Sequence, residues 1–180
     1  MRKLTSHLFI SLDGVVEAPD RFLRDDLYQD LSLFDEETVT GQDAVLLGRR
    51  TYEEWATFWP GAEIEPFASF INQVPKYVVS GSLRTLDWAP SRLLSGDVLD
   101  EIAALKRQAG QAIGVHGSIS LVQALLAAGL LDELRFVLCP AVAGQGRRLL
   151  SRAGEPIQLD LQSARTTPGG LQYLVFRPHG

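Results

Sequence analysis

The chain has 180 residues and only one cysteine, Cys139, so no disulfide can close within it and a reducing cytosol is the expected home. The three histidines, His7, His116 and His179, show no metal-ligand spacing with each other or with Cys139, and no metal site is expected. No long run of one charge occurs. The 17 Lys and Arg against 22 Asp and Glu leave a net charge of −5, which argues against a general nucleic-acid binder or a membrane-surface protein. No apolar stretch approaches the roughly 18 residues of a membrane span. The opening MRKLTSHLFISLDG has a basic start, but its apolar stretch is broken by Ser6, His7 and Ser11, so it reads as a first strand and not as a signal peptide. Neither G-x-G-x-x-G nor a P-loop is present. No internal repeat and no linker divides the chain, and one domain over residues 1–180 is expected.

What the sequence does contain is patterned. With 46% hydrophobic and 22% charged residues it can bury a core. Residues 3–12 read as a strand ended by Asp13-Gly14. Residues 22–40 place Phe22, Leu23, Leu27, Leu31 and Phe34 at helical spacing before Gly41. AVLL, residues 44–47, is a strand covered on both faces. Thr51 to Glu54 spells a capping box, predicting a helix start near Thr51. KYVVS, 76–80, is another buried strand. Asp97 caps a helix whose inner face holds Val98, Leu99, Ile102 and Leu105, with Gly110 closing it. AIGVHG, 112–117, is a strand, and 118–128 a largely buried helix. Residues 132–142 form a strand running into a Gly- and Arg-rich loop, 143–156. Two last strands flank Pro168-Gly169-Gly170, a hairpin signal. The alternation predicts an α/β domain with a mixed, mainly parallel central sheet, helices on both faces and an antiparallel edge.

Ligands of such sheets sit beyond the carboxyl ends of the strands. Three corners point there: Leu12-Asp13-Gly14, Gly48-Arg49-Arg50-Thr51 and His116-Gly117-Ser118. A helix N-terminus offers free N–H groups and a partial positive charge. Gly48 admits close approach to the backbone, and the guanidinium forks of Arg49 and Arg50 suit a phosphate. The alternative is a surface ion pair with Glu53 or Glu54. His116-Gly117-Ser118 is either a second anion corner or a tight turn with Ser118 as N-cap. VVSGSL, 78–83, either reaches a nucleotide or simply turns the chain. Two phosphate corners at neighbouring strand ends suit a dinucleotide with an added 2′-phosphate.

SLDGVV, DAVLLGRRTYEEW, PKYVVSGSL, SGDVLDEIAALK, GVHGSISLVQALLAAGLLDELRFVLCPAVAGQGRRLL and LQYLVFRP occur in an order that resembles the dihydrofolate-reductase-like superfamily. The branch is the one similar to the reductase (RibD C-terminal) domain of riboflavin biosynthesis. The resemblance covers nearly the whole chain. It implies an NADPH-dependent reductase with a mixed sheet of about eight strands, often a homodimer. By this resemblance Gly48, Arg49, Arg50 and Thr51 hold the 2′-phosphate side of NADPH, and Ser80 and Gly81 lie along the adenosine. His116, Gly117, Ser118 and Ile119 cradle the pyrophosphate, and Leu12, Asp13 and Gly14 belong to the loop over the nicotinamide. The Gly-Gly pair that carries a cis peptide in folate reductases falls on His116-Gly117. Ile119 stands where this branch often has a second glycine.

The same resemblance bears on substrate. Folate reductases carry an acid on the first helix, for which Asp30 and Asp35 are the nearest candidates. Asp25, Asp26, Asp30, Asp35, Glu36 and Glu37 also fit a solvated face. One cysteine excludes the zinc deaminase domain of bifunctional riboflavin enzymes, so a stand-alone reductase is expected. Arg147, Arg148 and Arg152 are candidates for a substrate phosphate, or else belong to a solvated loop. No catalytic side chain is assigned, because in hydride transfer the nicotinamide carries the chemistry. The expectation is an NADPH-dependent reductase of a pyrimidine or pterin-like compound. The alternatives are a nucleotide-binding or dimerising module without turnover, and a folate reductase.

Overall fold

AVLL is apolar at every position because its strand is covered on both sides. Ala44 and Leu46 pack with Ile102, Leu105, Val122 and Leu125, whereas Val45 and Leu47 pack with Tyr52, Ile71 and Val78. The computed structural model describes residues 1–150 and 156–179, without the side chains of residues 32–37. Its strands are β1 Leu4–Ser11, β2 Gln42–Gly48, β3 Lys76–Val79, β4 Ser91–Leu94, β5 Ala112–Val115, β6 Glu133–Cys139, β7 Leu159–Thr166 and β8 Gln172–Pro178. Its α-helices are α1 Tyr28–Thr40, α2 Arg49–Phe58, α3 Phe67–Gln73, α4 Val98–Arg107 and α5 Ile119–Ala127.

The strands form one eight-stranded sheet in the order β4-β3-β2-β5-β1-β6-β8-β7. All pairs from β4 to β6 are parallel, while β8 runs antiparallel to β6 and β7. The carboxyl ends of β4, β3, β2, β5, β1 and β6 therefore share one edge of the sheet. Helices α4 and α5 cover one face, and α2 and α3 the other. Among the described residues no helix is long and apolar enough to cross a membrane.

Three local expectations change. The segment from Phe22 does not enter α1 directly, because 3₁₀ turns at Pro19–Arg21 and Asp25–Leu27 come first. Phe22, Leu23 and Leu27 are nonetheless buried. Strand β4 was not expected, since SRLL is short and half polar; its pairing with β3 from Lys76↔Ser91 to Val79↔Leu94 makes it a strand. Helix α2 begins at Arg49, two residues before the capping box, with extended Gly48 as N-cap and no side-chain cap. The cap expected at Asp97 is present, its carboxylate accepting from Asp100 N at 3.3 Å. At the hairpin, Gly170 N donates to Thr167 O at 3.0 Å.

Candidate functional site

Strands β2 and β5 are neighbours, so the corners that follow them touch. A Cβ on Gly48 would collide with Ser118 Oγ and lie 2.8 Å from Ser118 Cβ. A Cβ on Gly117, whose φ is +127°, would lie 2.9 Å from Thr51 Oγ1. The two glycines thus interlock the corners with each other. For Gly48, it is Ser118 that forbids a side chain. Among the described residues the non-proline cis peptide lies at Gly117-Ser118, one residue beyond the His116-Gly117 pair.

Around these corners opens a cleft of about 770 Å³. It gathers Gly48, Arg49 and Arg50 after β2, Ser80, Gly81 and Ser82 after β3, and Ser118 and Ser120 at the start of α5. Val79, Val98 and Leu99 give it an apolar wall, and Arg147 reaches it from the loop after β6. Leu99, which its spacing places on the inner face of α4, is 39% exposed. It shares the cleft wall with Val79 at the end of β3.

The cleft is rich in donors. Helix α2 leaves its first N–H groups without a side-chain cap, and so does α5, whose N-cap residue is Ser118. Ser118 Oγ is 3.3 Å from Ser120 Oγ. Ser80 Oγ accepts from Ser82 N at 3.2 Å and Leu83 N at 3.0 Å, which shapes the turn after β3. Arg49 Nη1 pairs with Glu53 Oε2 at 2.9 Å, both side chains being near half exposed. Arg50 is exposed, and among the described residues no hydrogen bond or ion pair engages it. The surface-pair alternative is therefore realised at Arg49 alone.

Other expected site residues lie off the cleft. Ile119 is buried with Leu121 and Val122 in the core beneath α5 and does not line the cleft. Thr51 sits inside the first turn of α2 against Gly117. The His116 side chain turns into the protein. It stacks on His7 with ring centroids 4.9 Å apart, and its Nε2 lies 2.9 Å from Gln42 Oε1. Gln42 Nε2 in turn lies 2.9 Å from His7 Nε2. The Gln42 amide spans the two rings, and with its Nε2 facing His7 the His7 ring nitrogen accepts, which only an uncharged imidazole can do. Burial holds His116 down to about 3 and His7 well below its ordinary value; the neighbouring His116 and Arg135 push His7 the same way. Leu12 is 62% exposed, and Leu12, Asp13 and Gly14 do not line the cleft. The Asp13 carboxylate accepts from Ser11 Oγ at 2.7 Å, Ala143 N at 2.9 Å and Gly144 N at 3.0 Å. Those hydrogen bonds hold Asp13 far below the usual carboxylate range.

The sequence model of the RibD C-terminal domain matches residues 2–173, nearly the entire chain. The chain belongs to the RibD C-terminal domain family. It is 25% identical over 183 residues to YyaP of Bacillus subtilis (strain 168), covering 99% of this chain and 96% of that one. Among solved structures it resembles a riboflavin biosynthesis protein from Shewanella sp. PV-4, with a TM-score of 0.75, 18% identity and 99% of both chains covered. It also resembles the Thermotoga maritima diaminohydroxyphosphoribosylaminopyrimidine deaminase/5-amino-6-(5-phosphoribosylamino)uracil reductase, at TM-score 0.70 and 14% identity, over 99% of this chain and 57% of that one. Enterococcus faecalis dihydrofolate reductase complexed with NADP(H) gives a TM-score of 0.67 at 14% identity, over 99% of this chain and 97% of that one. At these identities the structural likenesses show the fold.

In this RibD C-terminal domain the expected substrate-side residues separate. Arg147 lines the cleft. Arg148 turns away and pairs with Asp13. Asp30 Oδ2 accepts from Gly169 N at 2.8 Å, so that carboxylate braces the terminal hairpin. Arg152 and the side chains of Asp35, Glu36 and Glu37 lie outside the described residues.

Proposed function

We propose that the protein is an NADPH-dependent reductase of a pyrimidine or pterin-like substrate, of the type named for the Thermotoga enzyme, 5-amino-6-(5-phosphoribosylamino)uracil reduction. The observation that carries this is the cleft at the carboxyl ends of the strands, where cations, uncapped helix starts and an apolar wall meet. Its volume and lining fit a dinucleotide. Arg49 and Arg50 would hold the 2′-phosphate, with Ser80 and Gly81 beside the adenosine and Val98 and Leu99 against its base. Ser118 and the first N–H groups of α5 would receive the pyrophosphate.

Arg49 must leave Glu53 to do this. An exposed i,i+4 pair contributes about 0.3–0.5 kcal/mol, whereas a charge-assisted bond to phosphate contributes roughly 1.5–3 kcal/mol, so the phosphate wins. Bound NADPH supplies a hydride. The chain's part is to bind, orient and exclude water, which fits a site where no acid or base stands out. Of the two candidates for the first-helix acid that dihydrofolate reduction would need, Asp30 is engaged by the hairpin, and the Asp35 side chain lies outside the described residues.

The test is steady-state oxidation of NADPH and NADH with ribosylaminopyrimidine phosphates, dihydrofolate and flavins. Changing Arg49 and Arg50 together to alanine should raise the KM for NADPH by roughly two orders of magnitude and leave that for NADH nearly unchanged. Equal losses for both cofactors would remove the 2′-phosphate role. Binding of NADPH without oxidation across the panel would favour a non-catalytic module.

A further inference from the structure

We infer that Arg147 is a third cofactor-binding cation, serving the pyrophosphate at the β5–α5 corner, and that Asp13 is the residue that positions it. The inference rests on the NADPH reading of the cleft. Arg147 comes from the opposite side of the corner to Arg49 and Arg50. Those two follow β2 and Arg147 follows β6, with β5 and β1 between them in the sheet. The cleft is thus flanked by guanidinium groups on both sides of Ser118 and Ser120. A ligand with a terminal phosphate at one side and a pyrophosphate further along matches that spread better than a single phosphate does.

The backbone of Arg147 is held from three directions. Ala143 N and Gly144 N donate to the Asp13 carboxylate at 2.9 and 3.0 Å. Arg148 Nε donates to Asp13 O at 2.7 Å, and Arg148 Nη2 approaches Asp13 Oδ2 at 3.3 Å. Val15 and Arg148 form an antiparallel bridge, Val16 N donates to Arg147 O at 3.0 Å, and Arg147 N donates to Glu17 Oε2 at 3.1 Å. Leu149 is 1% exposed, and its carbonyl accepts from Gln123 Nε2 on α5 at 2.6 Å. A Cβ on Gly146 would lie 2.6 Å from Val15 Cγ1, so the loop presses directly on the chain after β1. In extended chain, successive side chains point to opposite sides. Arg148 is turned to Asp13, which leaves Arg147 turned to the cleft. Among the described residues no polar group engages the Arg147 side chain, so its charge is available to a ligand. Asp13 therefore acts through the loop, as a positioning residue, and not by touching the cofactor.

Calorimetric titration of the full chain with NADP⁺, NAD⁺ and adenosine 2′-monophosphate tests both parts. Arg147→Ala should weaken NADP⁺ and NAD⁺ by the same factor, roughly tenfold or more, and leave adenosine 2′-monophosphate unchanged. Arg50→Ala should show the complementary pattern, weakening NADP⁺ and adenosine 2′-monophosphate but not NAD⁺. Asp13→Asn should weaken NADP⁺ in the wild-type background and add little once Arg147 is alanine. Unchanged NADP⁺ affinity in Arg147→Ala, or an equal loss for adenosine 2′-monophosphate, would overturn the assignment of Arg147 while leaving the NADPH reading intact. Additive losses for Asp13→Asn and Arg147→Ala would overturn the positioning role. A wild-type protein that binds none of the three ligands would sink the NADPH reading itself.

Discussion

Two glycines, Gly48 and Gly114, are required by their neighbours more than by their own backbone freedom. At Gly48 the φ is −77°, which any residue adopts, yet a Cβ would lie 2.8 Å from that of Ser118. Gly48→Ala should therefore cost about 1–3 kcal/mol of stability, as overpacking does. Adding Ser118→Gly should return most of it, because the opposing Cβ is gone. Urea unfolding of the two variants measures this, and a double variant no more stable than Gly48→Ala alone would refute the interlock. Gly114 follows the same logic. A Cβ there would collide with Gln42 Oε1 and lie 2.8 Å from His116 Nε2, so the glycine makes room for the amide that joins the two histidines.

Helices and strands were legible where their hydrophobic period was strong, and less so where another element completes them. The cap at Asp97 could be read from sequence because an N-cap acts over three residues. The start of α2 could not, because extended Gly48 delivers the chain into the helix before Thr51 is reached. Strand β4 depends on β3, and no local pattern announces it. The corners at Arg49-Arg50 and Ser118 were visible, since charge and glycine at a strand end are local signals. The inward turn of His116, the burial of Ile119 and the arrival of Arg147 from 97 positions beyond Arg50 depend on tertiary packing. Helix α3 shows the same dependence. Its C-terminus is closed by Lys76 at the start of β3, whose Nζ donates to Ile71 O at 2.9 Å, Val74 O at 3.0 Å and Asn72 O at 3.4 Å. That ammonium also lies 4.4 Å from the Trp88 ring centroid. Lys76→Met keeps the apolar stem and removes the donors. It should cost about 2–3 kcal/mol, read as a lower urea midpoint, because buried carbonyls lose their partner. A midpoint equal to wild type would show that water replaces the ammonium.

At the scale of the whole molecule, the sheet encloses groups whose charge state differs between folded and unfolded chains, and this sets the pH dependence of stability. His116 titrates at about 3 in the folded protein and near 6.5 when unfolded, with His7 shifted in the same direction. Between those values the unfolded chain binds protons that the folded chain refuses. Stability is then complete above about pH 6.5 and is lost as pH falls toward 3. The full shift of His116 corresponds to about 5 kcal/mol, a large share of the roughly 5–15 kcal/mol that a domain possesses. Asp13 acts in a lower window, since its depressed carboxyl loses its contribution only as pH falls below about 3.8. Lys76 acts at the other end. Burial lowers it from 10.5 to about 8, so the unfolded chain binds more protons across that range and stability rises with pH there. Glu133, against its burial, is held low by Lys3 and Arg135 and begins to lose its own contribution only near pH 4.5. Urea midpoints at about pH 7.0, 6.2 and 5.5 therefore isolate the histidines, because Asp13, Glu133 and Lys76 keep their charge there. His116→Gln keeps a donor for Gln42 but cannot titrate, and it should flatten the fall across that interval by about half if the two histidines contribute equally. A slope identical to wild type would assign the acid sensitivity to other groups and remove the buried imidazole pair as its source.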